Sequence, residues 1–473
     1  MIGAGISGLA CAYRLKQLGI HCLVLEAKER AGGLIATVRR NGFLFETGPQ
    51  CPRFPAPVWR LVRELNLESE FVAGDSKAKR YIFSRGQLHS APFSPTGLLR
   101  TRLVGFRSKY RILTEAFRHS QPPAHEESLS EFVERKFGQA VLDNLVDPII
   151  STIFLGDSHK MGMESAFPAL VQWEREHGSL VRGAIRARKS KRDTRTLGGS
   201  SADSRKNGRA LYVTEALPSL GSFRSGLARL PERVSEELGT KIRYGTRIAS
   251  VAPFRGDDGI MKAGWRICLS GGEEITVQHL ILAVPAYVAA GLLEMRVPQL
   301  AAHLRAIEYA PMCVVSSAYD RSGVANRLDG FGFMVPRREA LKTICTFWNS
   351  SLFAERAPEG QVLMTSFTGR ELSETFAAIS EEECAQVVEA ENARILGVTA
   401  KPVEQQVWKD SQALPQYNVG HGRRVAEIST MLLRQPNLYL AGNFLRGRSI
   451  GECVEVAYGV ADNLHSQLGG QGI

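Results

Sequence analysis

The stretch that decides the fold is residues 1–27, MIGAGISGLACAYRLKQLGIHCLVLEA. Gly3, Gly5 and Gly8 fall in the spacing Gly-x-Gly-x-x-Gly. In a βαβ unit these glycines make a tight turn, let backbone approach a pyrophosphate and pack helix against strand. Leu9, Ala12, Tyr13 and Leu15 keep a helical rhythm, and residues 21–27 read as a buried parallel strand. Glu26 ends that strand about 20 residues beyond the glycines, where an acid binds a ribose hydroxyl and repels a 2′-phosphate. Phosphate charge would sit at the helix N-terminus, favoured by free N–H groups and the helix dipole. Such a motif normally follows a strand of about five apolar residues, yet only Met1 and Ile2 precede Gly3. The preferred reading is a chain that starts inside a longer strand, so that about five added apolar residues raise cofactor retention. The other is a shortened central strand that leaves neighbouring backbone groups without ladder partners.

The rest of the chain sets limits on this site. At 473 residues, two or three lobes are expected. With 44% hydrophobic and 23% charged residues and no apolar run of about 18, the sequence reads as globular, without a span or a signal peptide. Its eight cysteines have no CxxC pair and its ten histidines no HExxH pattern, so packing thiols and no metal are expected. The net charge of +11 is concentrated, with ten basic against two acidic residues in 181–209. The Ser/Gly-rich part of that stretch reads as a disordered insert, compatible with attraction to anionic lipid. No aromatic interleaving accompanies the charge, so nucleic acid is not expected.

Residues 92–185 are mostly helical in pattern. SLSEFVERKFGQAVLDNLVDPIISTIF (128–154) starts at a Ser128/Glu131 cap, and MESAFPALVQWEREHGSLVRGAI (163–185) is a second helical run. SPTGLLRTRLVGF (94–106) mixes apolar residues with arginines, as an interfacial segment does. GFLFETGP (42–49) reads as a short alternating strand, and SEEECAQVVEAENARILG (380–397) as a helix. The resulting fold class is α/β. A Rossmann-like nucleotide-binding domain is assembled from 1–75, 217–278 and 421–473, with a mixed α+β substrate domain from 76–91 and 279–420. A helical membrane-associating lobe spans 92–185, and a basic disordered insert 186–209.

Beyond Glu26, Arg30 and the pair Gly32-Gly33 add a second close backbone approach, and LYLAGNFLRGRSIGECVEVAYG (438–459) ends a strand in glycine before a helix. Together these resemble amine oxidase-type flavoproteins. IISTIFLGDSHKMGMESAFPAL (149–170), LILAVPAY (280–287), GFGFMVP (330–336) and ALPQYNVGHGRR (413–424) occur in the order found in the protoporphyrinogen oxidase family, over nearly the whole chain. The resemblance implies FAD, held by Gly3, Gly5, Gly8, Glu26, Arg30, Gly33, Gly48, Val251, Trp408, Ile450 and Val454. It implies a substrate propionate on Arg80 and a tetrapyrrole bordered by Gly156, Phe331, Gly332 and Met334. The implied reaction is oxidation of protoporphyrinogen IX by FAD and dioxygen in three two-electron steps that release peroxide, with no catalytic side chain assigned. A place on the inner face of the cell membrane, facing the cytoplasm, goes with it, and a homodimer is compatible. Arg448 and Glu452 depart from the family pattern near the flavin. Competing readings are a coproporphyrinogen III oxidase of the same fold, whose four-carboxylate substrate asks for more basic residues. Others are an amine oxidase or carotenoid desaturase, and a flavin-binding scaffold with a dead pocket.

Overall fold

The computed structural model describes residues 1–187, 219–254, 264–369, 378–447 and 449–469. Residues 188–209 of the basic insert, and Arg448, lie outside these described residues. The chain begins in the middle of a parallel sheet. Its strand order is Ile242–Arg243, Val24–Leu25, residues 1–2, Leu280–Leu282 and Leu438–Leu440. Met1 O accepts from Leu25 N at 2.9 Å, and Gly3 N donates to Leu25 O at 2.8 Å. On the other side Ile2 N donates to Ile281 O at 2.9 Å, and Ile2 O accepts from Ala283 N at 2.8 Å. The expected loss of ladder partners is therefore not found around Ile2: this short strand is bonded on both flanks, and the turn into Gly3 is supported.

Two apolar layers cover the sheet. On one face the helix Ile6–Gln17 meets the helix Ile450–Gly469, with Leu9, Ala12, Ala457 and Ala461 wholly buried between them. Alanines let the helix axes approach closely, and each buried leucine contributes about 1.5–3 kcal/mol. On the other face lie Trp265, Ile267 and the helices Ala286–Leu293 and Pro298–Arg305. This corrects the boundary expected at residue 279. Leu280–Leu282 is a strand of the parallel sheet, and the two helices after it pack on that same sheet rather than on the substrate side.

A seven-stranded sheet forms the second body. Its order is Glu404–Pro415, Tyr309–Asp320, Gln361–Thr368, Thr343–Phe347, Gly332–Met334, Arg80–Ser84 and Gln87–Ser90. The pairing of Gly332–Met334 with Arg80–Ser84 is parallel and sets Arg80 opposite Gly332. The strand Phe43–Glu46 bonds to Thr37–Arg40 and is buried at every residue, so the expected alternation is corrected. Both of its faces are covered, Phe45 lying 6.4 Å from Trp408.

The helical region has its own core around Phe132, Val141, Ile150 and Phe154. Ser128 caps Leu129–Phe137 in a reciprocal capping box with Glu131. The single run expected over 128–154 breaks at Gly138, which takes φ +91° and divides it. One π turn, Leu142–Val146, and the helix Asp147–Phe154 follow. The run expected over 163–185 is interrupted at Pro168, whose ring cannot continue a preceding helix, and again at Gly178. Ser380 and Glu383 make a second capping box on Glu381–Leu396.

Candidate active site

The cradle follows from the paired strand at residues 1–2. A Cβ on Gly8 would lie 2.0 Å from Gly3 O, and one on Gly3 would lie 2.5 Å from Ala283 O, so neither position accepts a side chain. A Cβ on Gly5 would meet nothing within 4 Å, because Gly5 faces an open cavity. The helix starting at Ile6 has neither a side-chain cap nor an acid in its first turn, which leaves its leading N–H groups free for an anion. Glu26 accepts from Ala4 N at 2.7 Å and from Lys28 N at 2.9 Å. Its carboxylate, with about four lone-pair sites, is thereby fixed beside the glycine turn with capacity left for a ribose hydroxyl. Arg30 donates to Gly33 O at 2.9 Å and Ala31 O at 3.1 Å, bracing the second glycine turn. These features fit the diphosphate and ribose of a dinucleotide.

The cradle opens into a cavity of about 370 Å³ lined by Gly33, Gly48, Tyr309, Met312, Asn443 and Ile450, among others. Its walls are mainly apolar, as a flat ring system requires. Ser449 caps the helix Ile450–Gly469 at this wall, accepting from Glu452 N at 3.2 Å, while Glu452 accepts from Ser449 N at 3.1 Å. That box accounts for the glutamate at 452. Burial pushes the Cys453 thiol up to about 11, so it stays neutral beside the cavity.

A second cavity of about 540 Å³ shares Thr152, Ile153 and Phe347 with the first. Arg80, Phe331, Gly332 and Met334 line it. The Arg80 guanidinium lies 4.4 Å from the Phe331 ring centre and 5.7 Å from that of Phe93, held between two π faces. Among the described residues, Arg53 and Arg80 are the charged side chains lining these two cavities. Among the described residues neither cavity wall contains Asp, Glu, His or Lys.

Buried polar contacts tie the two bodies together. Glu46, on the nucleotide side, takes hydrogen bonds from Thr37 Oγ1 at 2.7 Å and Leu227 N at 2.9 Å, and faces Arg356 at 3.3 Å. Burial raises the Glu46 pKa and lowers that of Arg356, against their mutual attraction. Gln50, which lines the first cavity, accepts from Asn349 Nδ2 at 2.7 Å. Tyr417 donates to Asn443 O and stacks on His421 with ring centres 4.5 Å apart.

Several residues expected at the site lie elsewhere. Val251 is buried against Trp265 and Ile267, Val454 in the helix–helix core, and neither lines a cavity described above. Trp408 packs between sheet layers beside Phe45. Gly156 is packed on Gln416, where a Cβ would lie 2.2 Å from Oε1, and the adjacent Leu155 faces the cavity in its place. Cys453 likewise takes the cavity-lining place expected of Val454. Gln50, Met312 and Phe347 line the site outside every motif read from the sequence, and Ser7 and Asn443 line it at unassigned positions within two of them.

A backbone cradle for a dinucleotide, opening on an apolar slot and then on a cavity with a cationic edge, defines a flavin-dependent oxidoreductase. Residues 6–465 match the family described as flavin containing amine oxidoreductase. The chain is 30% identical to the chloroplastic protoporphyrinogen oxidase of Nicotiana tabacum, over 98% of this chain and 84% of the other. It is 26% identical to the coproporphyrinogen III oxidase of Bacillus subtilis, over 96% and 95%. Among solved structures, a protoporphyrinogen oxidase candidate from Exiguobacterium sp. 255-15 superposes with a TM-score of 0.79 at 24% identity, covering 98% of both chains. The chain belongs to the flavin containing amine oxidoreductase family and, within it, to the protoporphyrinogen oxidases. Its cofactor is FAD.

Proposed function

We propose that this enzyme oxidises protoporphyrinogen IX to protoporphyrin IX in porphyrin biosynthesis, with dioxygen as acceptor. One observation carries the choice of substrate: a mainly apolar cavity beside the flavin cradle has two neighbouring cations, Arg53 and Arg80, as its charged lining among the described residues. A macrocycle with two carboxylates matches this, whereas the four carboxylates of coproporphyrinogen III would leave charge against the apolar wall. Bound FAD supplies the two-electron oxidation, used three times per macrocycle. Gly3, Gly5, Gly8, Glu26, Arg30, Gly33, Gly48 and Ile450 hold and orient it. Arg80 anchors a propionate by a charge-assisted contact, while Phe331, Gly332 and Met334 shape the wall beside the ring. Among the described residues no Asp, Glu, His or Lys lines the cavities to take a proton, so the pyrrole N–H proton leaves to water or to neighbouring ring nitrogens.

We assign the helical region to a membrane surface. No helix among the described residues is long and apolar enough to cross a membrane. Phe106 and Phe117 are 82% and 87% exposed, and Leu99, Tyr110 and Leu113 are exposed nearby, among Arg100, Arg102, Arg107 and Lys109. Phe93 and Ile153, both exposed, line the substrate cavity, so its mouth opens on an apolar face. A poorly soluble macrocycle gains by entering from lipid.

Porphyrin fluorescence measured with both porphyrinogens tests the substrate. Faster turnover of protoporphyrinogen IX is expected; preference for coproporphyrinogen III, or oxidation of an amine alone, overturns the assignment. Co-sedimentation with anionic vesicles tests the surface: F106D/F117D should release the protein, and unchanged binding would remove this face from the account. Deleting residues 190–208 tests the basic insert in the same way.

A further inference from the structure

We propose that Arg53 is a second carboxylate-binding residue, acting with Arg80 so that one edge of the substrate cavity grips both propionates of the reduced tetrapyrrole. This rests on the porphyrinogen reading above and deepens it. The backbone of Arg53 is tied down on both sides. It bridges Leu220, Gly221 N donates to Pro52 O at 3.3 Å, and Phe54 N donates to Ser219 O at 3.0 Å. Its side chain is exposed at the cavity wall, on the wall that also carries Arg80.

Neither arginine forms an ion pair among the described residues, whereas Arg175, Arg229 and Arg243 elsewhere each hold a carboxylate. Among the described residues the Arg80 guanidinium donates two long hydrogen bonds, to the carbonyls of Ser76 and Ala78, both at 3.5 Å. Burial makes the Arg80 cation less favourable than usual; the nearby charge of Arg53 acts in the same direction, and Asp75 offsets part of it. Two like charges with no carboxylate in contact, one of them half-buried, are relieved when two carboxylates enter. Among the described residues the remaining wall, including Ile149, Ile153, Phe333 and Phe347, offers an anion no further cation. A ligand with both acids on one side is therefore oriented as well as bound.

The test compares protoporphyrinogen IX with its dimethyl ester, on flavin-loaded protein. R53A should raise KM for the diacid about tenfold, the size expected for one charge-assisted hydrogen bond. It should leave KM for the ester unchanged, and R53K should recover part of the loss. R53Q, matched to the unsubstituted protein in flavin content and thermal midpoint, excludes a folding defect. Equal effects of R53A on acid and ester, or no effect on the diacid where R80A has one, would overturn the proposal. Should the unsubstituted protein oxidise neither compound, the assigned reaction fails. Equilibrium binding of protoporphyrin IX against its dimethyl ester, read by fluorescence in the same variants, then decides Arg53 on its own.

Discussion

The glycine cradle and the substrate cavity share Thr152, Ile153 and Phe347, but they are made in different ways. The cradle is backbone: a Cβ on Gly3 or Gly8 would meet backbone oxygen at 2.5 or 2.0 Å, and a bare Gly5 leaves its face open to the cavity. The substrate cavity is side chain: Arg80, Met334 and Phe347 come from separate strands, meet through sheet register, and leave space instead of filling it. Changes in the first should therefore be close to all-or-none. Changes in the second should be graded.

The largest expected effect lies where the two regions join. R356M leaves Glu46 buried without its cation and should cost about 3–5 kcal/mol in urea unfolding, whereas E46L/R356M should recover much of it. Failure of the double variant to recover would mean that the joint holds by packing and not by charge. The next largest effect sets two glycines against each other. G8A must move Gly3 O and should lower flavin retention on the order of a hundredfold. G5A has room in the apoprotein, so its thermal midpoint should stay put while flavin absorption is lost on dialysis. Full retention by G5A would show that ligand does not press on that backbone.

A smaller effect depends on pH. Burial, helped by Arg424, pushes His421 down to about 4 from an ordinary 6.5. The unfolded chain then binds a proton between those values that the folded protein does not, so stability falls as pH drops through this window. At pH 5.5 the loss is about 1.2 kcal/mol relative to pH 7, and H421F should remove that part of the pH dependence. The smallest effect belongs to the cavity wall. Phe347 joins Phe331 and Phe367 through edge contacts at 5.7 and 5.6 Å. F347A should raise KM about three- to tenfold, the worth of one aromatic contact, with flavin retained. Loss of flavin in F347A would erase the distinction between backbone cradle and side-chain wall.

What was readable from sequence follows the same division. Gly3, Gly5, Gly8 and Glu26 lie within one turn and one strand, and the capping box at Ser128 closes over four residues. Such local patterns carry their own geometry. The misplaced residues were displaced by small offsets: Leu155 for Gly156, and Cys453 for Val454. Which neighbour faces a cavity depends on helix phase and on the left-handed turn at Leu155, neither of which residue type specifies. Val251 packs on Trp265 and Ile267, and Trp408 beside Phe45, where an apolar residue fits a core as well as a binding wall. Arg53 carries no motif, and only its bridge to Leu220, 167 residues away, puts it beside Arg80.

The sequence by itself determined that a dinucleotide is bound at the start of the chain, since the absence of side chains at Gly3, Gly5 and Gly8 is a local condition on backbone approach. Tertiary structure alone decided that the two-residue strand before them is fully paired, because its partners come from residues 25 and 281–283. Tertiary structure also decided where the cavity's charge lies. The parallel register that sets Arg80 opposite Gly332, together with the bridge that holds Arg53, brings both cations to one cavity and leaves the rest of its described lining uncharged.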